Sequence, residues 1–139
     1  MKKRTGQKLF IFLLLAVLIV SVYGCAGDPS ADGSDIHTIR VSLTILYPEN
    51  ADQKPIENYS MQVEENATVM QVLESYSSQE GVQIQVENAS SPKVAAIGNV
   101  SADEHMMWCC MLNDTDVTTI ISDQELKDGD EIVWSFVEA

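Results

Sequence analysis

Basic side chains are scarce in this sequence. Its 139 residues include 8 lysines and arginines but 21 aspartates and glutamates, which gives a net charge of −13. Half of the basic residues fall before residue 9, so the rest of the chain is more acidic still. Such a surface repels nucleic acid and anionic lipid headgroups, which argues against both as partners of the folded part. The acidic residues are spread along the chain, which is typical of a surface that keeps a domain soluble.

Histidine and cysteine are also few, with two and three residues. His37 and His105 stand apart, and the sequence has neither a Cys-x-x-Cys pair nor histidines at metal-ligand spacing. Catalysis by a nucleophile–base pair or by two tuned carboxylates needs groups that no motif here brings together. We therefore expect a non-enzymatic protein without a metal site.

The longest apolar run lies near the N-terminus. It reads LFIFLLLAVLIVSVY over residues 9–23 and follows a short segment that contains four basic residues and no acid. A basic segment before an apolar run is typical of an export signal. A transmembrane helix needs roughly 20 apolar residues, and this run is short for that.

The residues after the run carry the next signal. Val22, Tyr23, Gly24 and Cys25 resemble the lipobox of bacterial lipoproteins, which implies cleavage before Cys25 and a diacylglycerol on its sulfur. A plain signal anchor is the alternative. Residues 26–35 are rich in Gly, Ser, Asp and Pro, as in a flexible tether. We predict a signal peptide at 1–24, a lipidated cysteine and tether at 25–36, and a folded domain at 37–139, on the outer face of the cytoplasmic membrane.

The folded domain changes between strand and helix periodicity. Strands are predicted from alternating apolar residues at 37–48, 59–63, 82–88, 94–97, 106–112 and 131–137. Val69, Val72, Leu73 and Tyr76 lie at helical spacing between a capping Thr68 and a terminating glycine at position 81. Strands before and after one central helix predict an α+β fold in which a single layer of helix packs on a sheet.

The C-terminal third resembles a known family. WCCMLNDTDVTT followed by LKDGDEIVWSF is similar to the transcobalamin-like C-terminal domain, which is common in lipoproteins of Gram-positive bacteria and is often described as a domain of unknown function. The matching positions are Trp108, Asn113, Leu126, Lys127, Asp128, Gly129, Asp130, Ile132 and Trp134. The family usually has glycine where this chain has Asn66 and Asp114. The resemblance implies a β-grasp-like mixed sheet packed on one main helix.

The same resemblance suggests a ligand. In transcobalamin the related domain closes over cobalamin opposite a helical barrel, and this sequence has no counterpart of that barrel. Cobalamin or another corrinoid is therefore the candidate ligand, with Trp108, Met106, Met107 and Asn113 as candidate ligand-binding residues. Both tryptophans could instead anchor the core, which we favour for Trp134. The alternative function is a cell-surface protein–protein interaction or adhesion module, which would use the exposed sheet edges of this fold.

Two adjacent cysteines leave three interpretations open. In a strand, Trp108, Cys110 and Leu112 face one side, and Met107, Cys109 and Met111 face the other. Cys109 and Cys110 therefore cannot both ligate one metal without leaving strand geometry. We interpret them as small buried hydrophobic residues, with a vicinal disulfide as the first alternative and metal or redox chemistry as the second.

The lipobox interpretation predicts that the Cys25→Ser variant loses its lipid, because the thioether needs the cysteine sulfur. In cells fed radiolabelled palmitate, the unmodified protein and the Cys109→Ser control should carry label, and Cys25→Ser should not. Equal labelling of all three proteins would contradict the prediction.

Overall fold

The computed structural model describes residues 36–88 and 90–139. The predicted signal peptide, Cys25 and the tether up to residue 35 lie outside this part of the chain. Within it the elements follow one another as β1 (Thr38–Leu46), β2 (Ile56–Glu64), α1 (Val69–Glu80), β3 (Ile84–Glu87), β4 (Lys93–Ile97), β5 (Val100–Ser101), β6 (Met106–Leu112), β7 (Thr115–Asp116) and β8 (Glu131–Glu138). Helix α1, the described helix, is neither long nor apolar enough to cross a membrane.

The main sheet has the strand order β2-β1-β8-β6-β7. Strands β1 and β8 are parallel, and the other neighbours are antiparallel, so the sheet is mixed. Alternation sorts its side chains: Val41, Leu43 and Ile45 of β1 are buried, as are Ile132 and Trp134 of β8. The predicted α+β fold, a mixed sheet packed on one main helix, is confirmed.

Helix α1 covers the buried face of that sheet. Thr68 accepts a hydrogen bond from the Gln71 backbone N–H, and the Gln71 side chain accepts one from the Thr68 N–H, so the N-terminus has a reciprocal cap. Gly81 ends the helix in the left-handed conformation, at φ 69°. The buried side of α1 consists of Val69, Met70, Val72, Leu73 and Tyr76. Both predicted ends of the helix are confirmed.

A second, smaller sheet of order β3-β4-β5 was not predicted as a separate unit. Val94 and Ile97 of β4 are buried and belong to the same core cluster as the main sheet and helix. Alternation correctly located β3 and β4, but the two-residue strands β5 and β7 are too short to leave a periodic signal.

Two positions where the related family has glycine carry positive φ angles. Asn66 has φ 71° and Asp114 has φ 65°, a conformation that glycine adopts freely and that Asn and Asp tolerate better than most residues. Asn113, at φ 48°, and Asp114 form the two-residue connection between β6 and β7. Positive φ at both central residues is the type I′ hairpin turn, for which Asn-Gly is the preferred sequence.

Replacing Asp114 by glycine should therefore stabilise the protein. We expect Asp114→Gly to raise the free energy of unfolding by about 0.5–1 kcal/mol, because the side chain is strained at positive φ. The matched control is Asp123→Gly, which removes the same charge where no positive φ is required and should lower stability. Urea denaturation of both variants measures the difference. A lower stability of Asp114→Gly than of the unmodified protein would contradict the prediction.

Candidate functional site

Trp108 lies in the core. Its side chain is 0% exposed, and its indole Nε1–H donates a hydrogen bond of 3.1 Å to the Val100 carbonyl of β5. Tyr47 meets the Trp108 ring edge-on at 5.7 Å between centroids, and Phe136 packs on it at 5.2 Å. The ring therefore offers no surface to a ligand in this conformation. Ligand contact by Trp108, which the sequence suggested, would require the core to open.

Met106 and Met107 lie on opposite faces of β6. Met106 is on the side of Trp108, whereas Met107 shares the outer face with Cys109 and Met111, and both methionines are half-buried. The structure does not bring them together into one site.

Asn113 lies at the other end of β6 from Met106. Its Nδ2 donates to Asp130 Oδ1 at 2.8 Å, and its Oδ1 accepts the Glu131 backbone N–H at 2.9 Å. These bonds tie the β6–β7 turn to the start of β8. Asn113 thus has a structural role, and its ligand-binding role stays an untested prediction.

A cleft next to Trp108 is a better candidate site than the four residues that the sequence suggested. It lies between the β1–β2 loop and the β4–β5 turn, has a volume of about 380 Å³, and is lined by Pro48, Asn50, Ala51, Asp52, Asn99, Val100 and Phe136. Phe136 is half-buried, so it presents one part to the cleft while another part packs on Trp108. Asn50, Asp52 and Asn99 are exposed. The cleft therefore has an aromatic wall and a rim of two amides and one carboxylate.

Gln53 holds the two sides of this cleft together. Its Oε1 accepts the Asn99 backbone N–H at 3.2 Å. The amide also lies against Gly98, where a Cβ would collide with it, and Gly98 has φ 63°. The φ angle favours glycine at this turn, and a Cβ there would push the flexible Gln53 side chain out of its position.

Tyr47 directly follows the last residue of β1, and its ring packs edge-on against Trp108. Its hydroxyl is buried and has no hydrogen-bond partner. Burial, and secondarily the nearby Tyr76, raise the pKa of Tyr47 to about 12 from its ordinary value of 10.0. The hydroxyl is therefore neutral at physiological pH, and Asp52 supplies the charge among the cleft residues.

The two cysteines of β6 are free thiols on opposite faces of the sheet, so they do not form a vicinal disulfide. Cys110 is fully buried, and this burial raises the pKa of its thiol and keeps it protonated. Cys109 is half-buried, and its Sγ accepts the Thr118 hydroxyl at 3.3 Å. The buried environment of Cys110 agrees with its interpretation as a small hydrophobic residue.

Within residues 36–88 and 90–139, no three His, Cys, Asp or Glu side chains lie close enough together to hold a metal ion.

Sequence reasoning missed Asn50, Asn99 and Phe136. The Gln53–Asn99 contact joins residues 46 positions apart, and no local pattern signals it. Phe136 could have been found, because it lies two residues after Trp134 and therefore on the same face of β8.

The unpartnered hydroxyl leads to a prediction about stability. Tyr47→Phe should leave the free energy of unfolding unchanged or raise it by about 1 kcal/mol, because the variant no longer buries an unpaired polar group. Tyr59→Phe is the matched control, and it should destabilise, because the Tyr59 hydroxyl donates to Glu80 at 2.6 Å. Urea denaturation at pH 7 compares the two variants, and a larger loss for Tyr47→Phe would contradict the prediction.

The raised pKa of Tyr47 adds a pH dependence. Below pH 10 Tyr47 is neutral in both the folded and the unfolded state, so its ionisation does not lower stability. As the pH rises from 10 towards about 12 the unfolded chain ionises first, and the free energy of unfolding falls. The fall in stability above pH 10 should therefore be shallower in Tyr47→Phe. The same slope in both proteins would show that the Tyr47 hydroxyl is not shielded from water.

Comparison with known protein families identifies the family of this chain. Residues 66–138 match the family model described as a domain of unknown function, DUF4430. No curated protein sequence matches the chain.

Two solved structures share the fold. Haptocorrin in complex with Cbi superposes with a TM-score of 0.64 at 11% identity, over 74% of this chain and 26% of haptocorrin. The chain thus spans about a quarter of the length of haptocorrin. A candidate metal-binding protein from Ruminococcus gnavus ATCC 29149 superposes with a TM-score of 0.51 at 18% identity, over 73% of this chain and 98% of that protein. At these identities the likeness concerns the fold. The family resemblance read from the sequence is confirmed, and the chain belongs to the DUF4430 family of domains of unknown function.

Proposed function

We propose that this protein is a surface-anchored lipoprotein whose non-enzymatic domain binds a corrinoid, such as cobalamin or cobinamide. The observation that carries the proposal is the cleft beside Trp108, which combines the aromatic wall of Phe136 with the amides of Asn50 and Asn99. The fold shared with haptocorrin, a structure in complex with Cbi, supports the choice of ligand.

The chemistry of the cleft suits a corrinoid. A corrin ring is a flat, largely apolar macrocycle with amide side chains around its edge. Phe136 offers an apolar surface to the ring, and the exposed amides of Asn50 and Asn99 can both donate and accept hydrogen bonds with the ring's own amides. Small-molecule sites commonly combine such an apolar wall with a few polar groups that fix orientation.

The size of the cleft limits the affinity. Its volume of about 380 Å³ is at the low end for a small-molecule pocket, so it covers one edge of a corrinoid and leaves the rest in water. We therefore expect a dissociation constant in the micromolar range, on the order of −8 kcal/mol.

Charge should favour cobinamide over cobalamin. Cobalamin carries a phosphodiester that cobinamide lacks, and the rim of the cleft carries Asp52 on a domain in which acidic residues far outnumber basic ones. Like charges repel more strongly at low salt, so the preference should shrink as salt is added.

The lipid on Cys25 would hold this domain at the outer face of the cytoplasmic membrane, where it can capture a corrinoid arriving from outside. The apolar run at 9–23 and the lipobox-like residues 22–25 support this part of the proposal.

The test is a titration of residues 26–139, produced without the lipid, with cobinamide and cobalamin. These residues include the whole compact unit that begins at Asp35. Saturable quenching of tryptophan fluorescence and saturable heat are expected at micromolar ligand. Quenching does not require contact with Trp108, because a bound corrin ring nearby can accept the excitation energy of the indole without emission of light.

Site variants make the test specific. Asn50→Ala combined with Asn99→Ala should weaken binding about tenfold, as expected from the loss of two hydrogen bonds of roughly 0.5–1.5 kcal/mol each. Gln79→Ala removes an exposed amide from α1, outside the cleft, and should bind as the unmodified protein does. Absence of saturation with both ligands, or equal affinity of the asparagine variant, would count against the cleft as a corrinoid site.

A further inference from the structure

The outer edge of β2 is free. Strand β2 pairs with β1 on one side and with no other strand in the described part of the chain. The Glu65 N–H donates to the His37 carbonyl at 2.7 Å. Together with the register, this bond shows which residue pairs of β1 and β2 are hydrogen-bonded. Antiparallel pairs alternate between hydrogen-bonded and non-hydrogen-bonded residues. Ser60 and Gln62 therefore point their backbone N–H and C=O groups away from β1, towards the free edge. Glu64 points its N–H there too, but its carbonyl accepts the Ala67 N–H at 3.1 Å.

Hydrogen bonds on the other side of β1 agree with this assignment of the pairs. Ser42, the partner of Ser60, donates its N–H to the Asp130 carbonyl at 2.9 Å, and Arg40, the partner of Gln62, accepts the Gly129 N–H at 2.8 Å. Both β1 residues thus turn their backbone groups away from β2, as residues of a non-hydrogen-bonded pair do.

A groove runs along this free edge. It lies between the end of β2 and helix α1 and has a volume of about 740 Å³. Gln62 and Glu64 line it from the strand, and Gln71, Glu74, Ser75 and Ser78 line it from the helix. The edge from Ser60 to Glu64 matches a strand of about five residues, a common strand length in proteins.

The negative charge of the groove favours a positively charged ligand. Glu64, Glu65 and Glu74 line it, and none of its lining residues is basic. Acidic residues on an exposed strand discourage pairing between two copies of the same chain, because each copy would present the same charges. An extended segment with lysine or arginine side chains avoids this repulsion and would neutralise the carboxylates.

We propose that the groove between β2 and α1 binds a basic, extended peptide segment of another protein, which adds to the sheet as a sixth strand. The N–H and C=O groups of Ser60 and Gln62 and the N–H of Glu64 supply the hydrogen bonds of the new ladder. Side chains of the added strand alternate, so one set faces α1 and Glu74, and the other set lies beside Glu64 on the opposite face of the sheet.

This interaction is independent of corrinoid binding. The groove and the cleft beside Trp108 share no lining residue. A peptide titration and a corrinoid titration of the same protein can therefore succeed or fail separately.

The test uses residues 26–139 and the peptide (Lys-Val)₃ with blocked ends. Saturable heat and shifts of the amide signals of Ser60, Gln62 and Glu64 in the NMR spectrum are expected. The acidic peptide (Glu-Val)₃ should not bind. A (Lys-Val)₃ peptide methylated on every backbone nitrogen keeps its charge but loses all of its backbone N–H donors, and it should bind at least tenfold more weakly.

Gln62 offers a matched pair of variants. Gln62→Pro removes the N–H that points to the free edge and keeps the β1–β2 ladder, since proline is tolerated on an edge strand when its nitrogen faces solvent. Gln62→Ala loses the same side chain but keeps the N–H. Binding of (Lys-Val)₃ should fall at least tenfold in Gln62→Pro and less than threefold in Gln62→Ala.

Three results would overturn the proposal: no binding of (Lys-Val)₃, equal binding to the two Gln62 variants, or equal binding of the methylated peptide. Either of the last two results would mean that the peptide binds through attraction between charges and not as an added strand. If circular dichroism shows that Gln62→Pro is unfolded, the methylated peptide on the unmodified protein decides the question.

Discussion

The packing around Trp108 joins the two sheets of this domain. The indole ring sits on the buried face of β6 in the main sheet, and its N–H bonds to the Val100 carbonyl of β5 in the small sheet. Tyr47 and Phe136 close around the ring. A bond to a neutral carbonyl contributes only about 1 kcal/mol to stability, but leaving a buried indole N–H unpaired would cost more. The arrangement therefore fixes β5 against β6 more firmly than packing alone.

The position of the cleft follows from this junction. With β5 held against β6, the β4–β5 turn faces the β1–β2 loop, and Gln53 bridges them. Trp108 thus shapes the proposed site from below, while Phe136, Asn50 and Asn99 supply its surface. The acidic groove along β2 depends instead on the packing of α1 against the sheet, which leaves the last strand edge open. The domain thereby offers two chemically different surfaces, one aromatic and amide-lined, the other acidic with free backbone groups.

Local rules predicted much of the fold. The period of two located β1 and β6, because both have one buried face, and the cap at Thr68 and the glycine at 81 located α1. The positive φ angles at Asn66 and Asp114 were not predicted, although both positions are ones where the family usually has glycine. The site was predicted less well. Alternation placed Trp108 on one face of β6 but could not tell whether that face met the helix or a ligand, and the pairing of Gln53 with Asn99 depends on a long-range contact. Asn113 matched a family motif, yet in this structure its side chain forms hydrogen bonds that stabilise the β6–β7 turn.

The most direct test of the role of Trp108 is hydrogen exchange of its indole N–H, followed by NMR. If Trp108 is a core residue that joins the sheets, its indole proton should exchange as slowly as the best-protected backbone amides of β8, through global unfolding alone. Exchange about tenfold or more faster than those amides would show that the bond to Val100 opens by itself. Trp108 would then be free to leave the core and meet a ligand directly, which would contradict its role as the fixed junction between the two sheets.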